Sequence, residues 1–399
     1  MTFDAEKALL PTGMCDGLPP EAAKEAACVE RLMTAFAAWG YARVKPPLFE
    51  FEDSLLSGSG RTMATHAFRF ADPASGRMLA LRPDMTLQVA RIASTRLKTA
   101  PRPLRLGYAG QIVRIKGSQL RPERQFGQVG AELIGVATPD ADAEVILMAI
   151  ESLAGIGVGA LSVDLGMPTL VPAFCDDMQI AEAHRHDLRL ALDRKDSAAV
   201  HALKDRIGAD SARVLGAMLT ATGPIERTLD ALRALDLPEK AALERDRLET
   251  VARIVAAGAP DLEITADPVE NRGFEYHSGV TFAFFSRAAG AELGRGGRYR
   301  TDDANGGEAA TGLTLYMDTI LTMMPPPPET KRIFLPAGTA RDAARTLRTQ
   351  GWQTISDLDG GGADHPDFTS SERETGTTAD KARHMGCSHF WLNGTAVEI

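Results

Sequence analysis

Hydrophobic positions in the 399-residue chain recur with helical spacing in some segments and with a period of two in others. In the N-terminal part, Ala, Leu and Glu content and a terminating Gly40 predict a helix over residues 20–39. Residues 138–157 begin with polar and acidic positions, and their apolar residues then recur at helical spacing. This pattern predicts a second helix, packed across a sheet.

Two hairpins are predicted from alternating patterns. The first lies within residues 66–93, turns at residues 72–76, and leads through a loop into a helix. The second spans residues 104–135, where an apolar strand breaks into a polar, basic bend and then resumes as an alternating strand. This bend collects cationic residues, namely Arg114, Lys116, Arg121 and Arg124.

The remainder of the chain changes in texture. A strand is predicted over 161–166, and residues 168–260 have several helical periods with Gly and Pro breaks, which predicts a helical insertion. Strand patterns between Gly-rich turns resume over 262–300. A strand then runs into a helix over 308–324.

The run of four prolines at 325–328 predicts a stiff linker and a domain boundary. After it, a strand, a helix, a loop rich in Gly, Asp and Ser, a helix and a strand alternate, which predicts a small α/β domain. We therefore predict one domain over residues 1–325 and a second over 326–399.

Composition narrows the class of protein. The formal net charge of -9 and the pI near 5.5 disfavour wholesale nucleic-acid binding. An apolar run long enough to span a membrane and a signal peptide are both absent from the sequence, so we expect a cytoplasmic protein without a membrane partner. The four cysteines are far apart, which predicts structural thiols rather than a metal site or disulfides, and we expect no cofactor.

Six segments, in this order and spacing, resemble the catalytic core of class II aminoacyl-tRNA synthetases of the histidyl type. They are "LPTGMCDGLPPEA" with "GYARVKPPLFEF", "LRPDMT", "IVRIKGSQLRPERQFGQVGAELIG", "NRGFEYHSGVTF", "GRGGRY" and "TGLTLYMDTI". The resemblance implies an α+β fold, a class II synthetase-like antiparallel sheet flanked by helices, with the helical insertion and the small C-terminal α/β domain added to it. It also implies a homodimer built on the first helix and strand.

The resemblance implies that four residues within these segments bind a free amino acid. Asp84 and Thr86 stand where the family holds the α-ammonium group, and a charge-assisted hydrogen bond there is about twice as strong as a neutral one. Gln128 and Glu132 stand where the family reads the amino group and the imidazole, and residues four apart on a strand share a face. The alternatives are that Asp84 only caps a helix and that Gln128 and Glu132 lie on a solvated face.

The segment "NRGFEYHSG" resembles the histidine-specific loop that reads Arg-Gly-Leu-Asp-Tyr-Tyr in active enzymes. Arg272 and Tyr276 match it, whereas His277 replaces the second tyrosine. The resemblance implies that Arg272 grips the carboxylate of the amino acid; the alternative is an ion-paired surface arginine. The "GRGGRY" segment predicts a tight backbone beside the pocket, since glycine permits close approach and positive φ.

The ATP-binding half departs from the family pattern. Arg114 is present. We predict that the histidine-binding residues are Asp84, Thr86, Arg114, Gln128, Glu132, Arg272, Tyr276 and His277. In contrast, Lys116 replaces the nucleotide-contacting Glu, and Thr319 replaces the late Arg that grips the γ-phosphate. If each lost contact contributed ~2 kcal/mol to the transition state, their joint loss would slow the reaction roughly a thousandfold. We therefore predict no catalytic residues and no aminoacylation. The basic bend is then expected either to contact a protein surface or to remain solvated.

The C-terminal residues 331–399 contain eight Lys or Arg against nine Asp or Glu, and a net charge of -1 suits RNA phosphates poorly. A synthetase body with a histidine pocket, no competent ATP site and no basic tail resembles the regulatory subunits of ATP phosphoribosyltransferase. That family implies a short-form catalytic subunit as partner, self-association within a hetero-oligomer, L-histidine as ligand and no nucleic acid. The expected role is support of the first step of histidine biosynthesis and its feedback inhibition.

Two alternatives remain from the sequence. One is an active histidyl-tRNA synthetase, and the other is an amino-acid-sensing paralogue that acts on translation.

Overall fold

The computed structural model of the chain describes residues 9–56, 63–117, 122–270, 277–287, 290–301, 307–325, 331–358 and 371–399, the last without the side chains of 371–377. Two compact units are present, Met1–Pro325 and Pro326–Ile399. Within the described residues, the first unit contains two sheets and the second unit contains one.

The first unit combines long strands with helices, and α2 lies in a segment for which the sequence predicts no helix. Its helices are α1 Glu21–Ala38, α2 Glu52–Leu55, α3 Thr86–Thr95, α4 Pro139–Gly155, α5 Leu170–Asp177, α6 Glu182–Asp193, α7 Ser197–Ala202, α8 Lys204–Ile207, α9 Ala209–Thr220, α10 Ile225–Arg233, α11 Glu239–Gly258 and α12 Met317–Met323. Its strands are β1 Ala42–Arg43, β2 Phe49–Phe51, β3 Arg69–Ala71, β4 Met78–Leu81, β5 Leu104–Val113, β6 Gln125–Ile134, β7 Leu161–Gly166, β8 Gly223–Pro224, β9 Glu263–Asp267, β10 His277–Ser286, β11 Ala291–Arg300 and β12 Ala309–Tyr316.

The main sheet has the strand order β1-β5-β6-β12-β11-β10-β7-β9-β8 within the described residues. Its central neighbours are antiparallel, while β1 pairs with β5 and β7 pairs with β9 in parallel. A smaller antiparallel sheet has the order β2-β4-β3. The predicted antiparallel sheet flanked by helices is confirmed, and residues 168–260 contain the helices α5 to α11.

Strand β6 shows how the sequence pattern selects the two faces of the main sheet. Val129, Ala131 and Leu133 are buried in one hydrophobic cluster, which also holds apolar residues of α1 and α4. The intervening residues of β6 point to the opposite face, since side chains alternate along a strand. That second face carries another cluster, which includes Tyr108 of β5 and Met85 before α3.

A buried ion pair fastens α4 to the sheet. Arg298 of β11 donates to the Asp142 carboxylate at 2.7 Å, and the Thr311 hydroxyl of β12 donates to its other oxygen at 2.6 Å. Burial raises the pKa of Asp142, against the Arg298 charge and these hydrogen bonds, which lower it. The arginine is therefore required as a partner for a carboxylate that water does not reach.

The second unit contains β13 Arg332–Leu335, α13 Arg341–Thr349, β14 Gln353–Ser356, α14 Ser371–His384, β15 His389–Leu392 and β16 Thr395–Glu398. Its strand order is β14-β13-β15-β16, with only β15 and β16 antiparallel within the described residues. Strand β14 lies in a stretch for which the sequence predicts a loop. Its four residues pair with β13, and such pairing depends on a strand distant in sequence rather than on local periodicity.

Over the described residues, no helix is long and apolar enough to cross a membrane. In the same part of the chain, no group of three or more His, Cys, Asp or Glu side chains is arranged to hold a metal ion.

Candidate functional site

The loop before α3 presents Asp84 at the edge of the site. One Asp84 oxygen accepts a hydrogen bond from the Thr86 amide at 2.8 Å, and the other accepts from the Gln128 side-chain nitrogen at 2.7 Å. Both interpretations of Asp84 therefore have a structural basis, because it orders the start of α3 and also faces the polar cluster. Asp84 and Thr86 are half-buried, so solvent still reaches them.

A buried arginine holds this loop in place. Arg82 donates to the carbonyl oxygen of Gln111 at 2.8 Å and to that of Pro46 at 3.0 Å. A side chain at Gly110 would collide with the Arg82 guanidinium, so glycine is needed there for the close approach. Arg82 therefore positions the Asp84 loop.

Gln128 of β6 forms the floor of the site and is fully buried. Its side-chain oxygen accepts from the Met85 amide at 3.0 Å, and its nitrogen donates to Asp84 and, at 3.0 Å, to the Thr314 hydroxyl of β12. These bonds fix the orientation of the amide, since both its donor and its acceptor have partners. A ligand at Asp84 would therefore meet a preorganised polar floor.

Glu132 lies four residues, or two strand repeats, further along β6 and is fully buried. Its two oxygens accept from the Tyr108 hydroxyl at 3.1 Å and from the Tyr299 hydroxyl at 2.9 Å. Burial raises the pKa of Glu132 to about 8, assisted by the negative charge of Asp84, while bonds from the tyrosines and from Thr86 lower it. A buried carboxyl group of this kind is expensive for the fold and is more typical of a functional site than of a core.

Glycine at position 312 makes room for this carboxyl group. Gly312 of β12 pairs directly with Glu132, and a Cβ atom there would overlap the Glu132 carboxyl group. Gly130 similarly leaves room for the Tyr108 ring. Glycine at these two sheet positions therefore leaves space for the Glu132 carboxyl group and for the Tyr108 ring that donates to it.

The cluster as a whole is acidic and lies beside apolar and aromatic side chains of the second hydrophobic cluster. The half-buried Asp84 suits a cationic group that enters from solvent, whereas the buried Glu132 suits a single N–H or N-protonated group of a small ring. The structure thus brings together Asp84, Thr86, Gln128 and Glu132 from two separate segments of the sequence.

Arg114 lies at the end of β5, near this site. Its guanidinium donates to the Pro83 carbonyl oxygen at 3.2 Å and is 5.3 Å from the centre of the Phe126 ring. Because its Nε donates to Pro83 and the residue is only half-buried, the Arg114 guanidinium is still reached by solvent and by a carboxylate ligand.

The other cations of the bend have different environments. Arg124 donates to the carbonyl oxygens of Arg114 at 3.2 Å and Thr12 at 3.1 Å, so it ties the N-terminal segment to the hairpin. Lys116 is exposed, and Arg121 lies outside the described residues. The bend is therefore partly structural rather than uniformly solvated.

Of the histidine-loop residues, Arg272 and Tyr276 lie outside the described residues. His277 begins β10, pairs with Tyr299 across the sheet, and packs its ring against Gly297. It also borders a cavity of about 530 Å³ whose other walls come from α5, α6 and residues 168–169 and 268–269. His277 therefore lies next to the strand that carries Tyr299 and three positions from β6 in the sheet order.

The glycines of "GRGGRY" lie in β11 and serve close approach, without positive φ. A side chain at Gly296 would collide with the Gly312 carbonyl oxygen, and one at Gly297 would crowd the His277 ring. Neither glycine is among the residues with positive φ. Of the two explanations the sequence offered, only close approach applies to these two positions.

Sequence reasoning missed Tyr108, Tyr299 and Thr314 as members of the site. The available signal was their position on strands, where each alternates onto the face that also carries Glu132. That signal is weak, because a tyrosine on a strand is more often a core residue.

Proteins similar to this chain identify the family to which it belongs. A family model described as Histidyl-tRNA synthetase matches residues 13–320. The chain is 52% identical over 389 residues to an ATP phosphoribosyltransferase regulatory subunit of Paramagnetospirillum magneticum, covering 98% of this chain and 97% of that protein. It is 50% identical to the protein of the same name from Rhodospirillum centenum, covering 98% and 96%.

Solved structures agree on the fold. A Bacillus halodurans protein titled ATP phosphoribosyltransferase regulatory subunit/histidyl-tRNA synthetase superposes with a TM-score of 0.77 at 23% identity, covering 93% of this chain and 96% of that chain. Histidyl-tRNA synthetase from Nostoc gives a TM-score of 0.77 at 17% identity, covering 98% and 96%. From the family model and the near full-length relatives together, the chain belongs to the family of ATP phosphoribosyltransferase regulatory subunits, proteins with the histidyl-tRNA synthetase fold.

Proposed function

We propose that this chain supports a short-form catalytic subunit of ATP phosphoribosyltransferase in the first step of histidine biosynthesis and transmits feedback inhibition by L-histidine. The observation that carries the proposal is the preorganised acidic cluster of Asp84, Gln128 and Glu132. A regulatory chain needs a site that binds a ligand without catalysing a reaction, and this cluster offers groups that can recognise an amino acid.

Histidine fits the cluster by its three polar groups. Its α-ammonium would lie at Asp84, beside Thr86, and its imidazole would reach the buried Glu132. Its carboxylate would face Arg114, at the solvent side of the site, and the sequence resemblance adds Arg272 to this end. Tyr276 and His277 remain predicted members of the pocket on the same grounds.

Loss of the ATP contacts supports a non-catalytic role. Lys116 is exposed on the bend, and Thr319 lies half-buried in α12. Neither a lysine nor a threonine reproduces the role for which the synthetases use Glu and Arg at these positions. Binding of histidine without its activation is therefore the function that these residues favour.

The proposed mechanism is linkage between binding and assembly state. Histidine shifts the activity of the complex only to the extent that it binds one state more tightly than another. The Asp84 loop and β6 are the elements through which such a difference would act, since they hold the groups that contact the ligand.

The proposed partners are the catalytic subunit and a second copy of this chain, in the cytoplasm. The small sheet β2-β4-β3 exposes two aromatic rings: Phe49 and Phe70 are 48% and 41% exposed, and their ring centroids are 5.7 Å apart. This exposed apolar face supports a contact with another subunit. Replacing both with serine should reduce assembly measured by light scattering. The matched control is Leu243→Ser, which removes an exposed leucine from α11.

The experiment that tests the function is phosphoribosyl-ATP synthesis by the short catalytic subunit of the same organism, with and without this chain, across a histidine titration. We expect the chain to raise the rate and histidine to lower it again. Glu132→Ala should relieve the inhibition while the complex stays assembled, whereas Glu144→Ala, on the opposite face, should leave inhibition intact. An unchanged rate and no histidine response would contradict the proposal.

A further inference from the structure

The two tyrosines on Glu132 come from different strands and converge on one carboxyl group. Tyr108 lies on β5 and reaches one oxygen, and Tyr299 lies on β11 and reaches the other. Two strands, β6 and β12, separate β5 from β11 in the sheet order, so the carboxyl group on β6 is held from both sides of its own strand.

Each phenol also has its orientation restricted. The Tyr108 hydroxyl is 3.1 Å from the Thr86 hydroxyl and 3.4 Å from the Leu313 carbonyl oxygen, and its ring fills the space left by Gly130. Both tyrosines are buried, at 0% and 4% exposure. Neither ring can therefore swing away from Glu132 without opening the hydrophobic cluster.

A carboxylate has about four acceptor positions, and the phenols with Thr86 occupy up to three of them. At least one position is left for a ligand, and its direction is determined by the groups that hold the others. A fixed direction lowers the entropy lost on binding and favours a donor at one place on the ligand.

We propose that Tyr108 and Tyr299 are positioning residues that orient the Glu132 carboxyl group toward a ring nitrogen of the bound amino acid, and that they thereby set the preference of the site for an imidazole. This inference rests on the histidine-binding function proposed above. It adds two residues to that function, and a reason why a buried carboxyl group selects among amino acids.

The phenols also influence the proton shared with the ligand. In the bound state the Glu132 O–H bond breaks and the proton forms an N–H bond on the ring, which leaves a carboxylate and an imidazolium. The phenol donors favour that carboxylate, since hydrogen bonds to the charged form stabilise it. The other titratable group whose charge acts on Glu132 is Asp84, in the loop before α3. Tyr41, in the opposite cluster, stays uncharged between pH 6.5 and 9 because burial raises its pKa.

The test measures binding of L-histidine to the full-length chain by calorimetry, alone and mixed with the catalytic subunit, between pH 6.5 and 9. β-(2-Thienyl)alanine, which has a similar ring without nitrogen atoms, is the comparison ligand. The variants are Tyr108→Phe and Tyr299→Phe, and Tyr41→Phe is the matched control because its buried hydroxyl donates to Glu144 instead.

For the unmodified chain we expect histidine to bind roughly a hundredfold or more tightly than thienylalanine. Each of Tyr108→Phe and Tyr299→Phe should weaken histidine binding about tenfold and reduce this ratio by a similar factor. Histidine affinity should fall at alkaline pH, where Glu132 has already lost the proton that it would pass to the ligand. Each variant should shift this fall to higher pH, because loss of a hydrogen-bond donor raises the pKa of Glu132. The ionisation of free histidine affects the affinity of every variant equally. A difference between the affinity–pH curves of two variants therefore reports a change in the protein.

Outcomes separate the two proposals. A chain that binds no histidine in either setting overturns the proposed function and this inference with it. Histidine binding that Tyr108→Phe and Tyr299→Phe leave unchanged overturns the positioning role alone. Weaker binding with an unchanged ligand ratio and an unchanged pH profile also overturns it, since this pattern is that of a structural residue. If one variant does not fold, the other still decides.

Discussion

Replacing Glu132 with glutamine should stabilise the ligand-free chain, although it alters a group proposed to bind histidine. Glutamine has nearly the same shape and carries no charge. Its oxygen can accept from Tyr299 and its nitrogen can donate to the Tyr108 oxygen, while the Tyr108 proton turns to the Leu313 carbonyl oxygen, 3.4 Å away. The buried polar groups therefore keep partners.

The magnitude follows from the pKa of Glu132. Burial raises that pKa from 4.5 to about 8, so the folded chain holds a proton that the unfolded chain releases at neutral pH. Below pH 4.5 both states are protonated and no penalty exists. The penalty grows as the pH rises and is complete above pH 8. At pH 7 it is about 3 kcal/mol, from roughly 1.4 kcal/mol for each pH unit above 4.5.

Urea unfolding of both proteins between pH 4.5 and 8 tests this prediction. The stability advantage of Glu132→Gln should be small at pH 4.5 and should approach about 3 kcal/mol at pH 7. Glu144→Gln is the control, because it breaks the bidentate pair with Arg105 and should slightly destabilise the chain. The reasoning is refuted if Glu132→Gln is no more stable at pH 7, or if its advantage does not change with pH.

Three further changes address the fold and the site. Arg298→Met should destabilise the chain by about 3–5 kcal/mol in urea unfolding, because it leaves Asp142 buried without its cation; a loss below about 1 kcal/mol would contradict the pairing argument. Gly312→Ala should cost about 1–3 kcal/mol through overlap with the neighbouring carboxyl group, whereas Gly159→Ala, where a Cβ meets open space, should change stability little. Asp84→Asn should weaken histidine binding about tenfold in calorimetry, since it removes the charge opposite the α-ammonium group. Equal affinity in that variant would rule out this assignment.

The sequence by itself determined the elements that depend on neighbouring residues. The alternating pattern of residues 104–135 predicted the β5–β6 hairpin, and the structure pairs Leu104 with Ile134 and Val113 with Gln125. The Ala, Leu and Glu content and the terminating Gly40 predicted α1 to within one residue at each end. The strand period also predicted that Gln128 and Glu132 lie on one face of the sheet.

The tertiary structure alone decided how deeply these side chains are buried and what surrounds them. Glu132 receives Tyr299 and faces Gly312, which are more than 160 residues away along the chain, because β12 and β11 pair beside β6. Local periodicity carries no information on such pairing, since the contact depends on which distant strand is the neighbour. The raised pKa of the carboxyl group and the clamp on its orientation are therefore properties of the folded sheet.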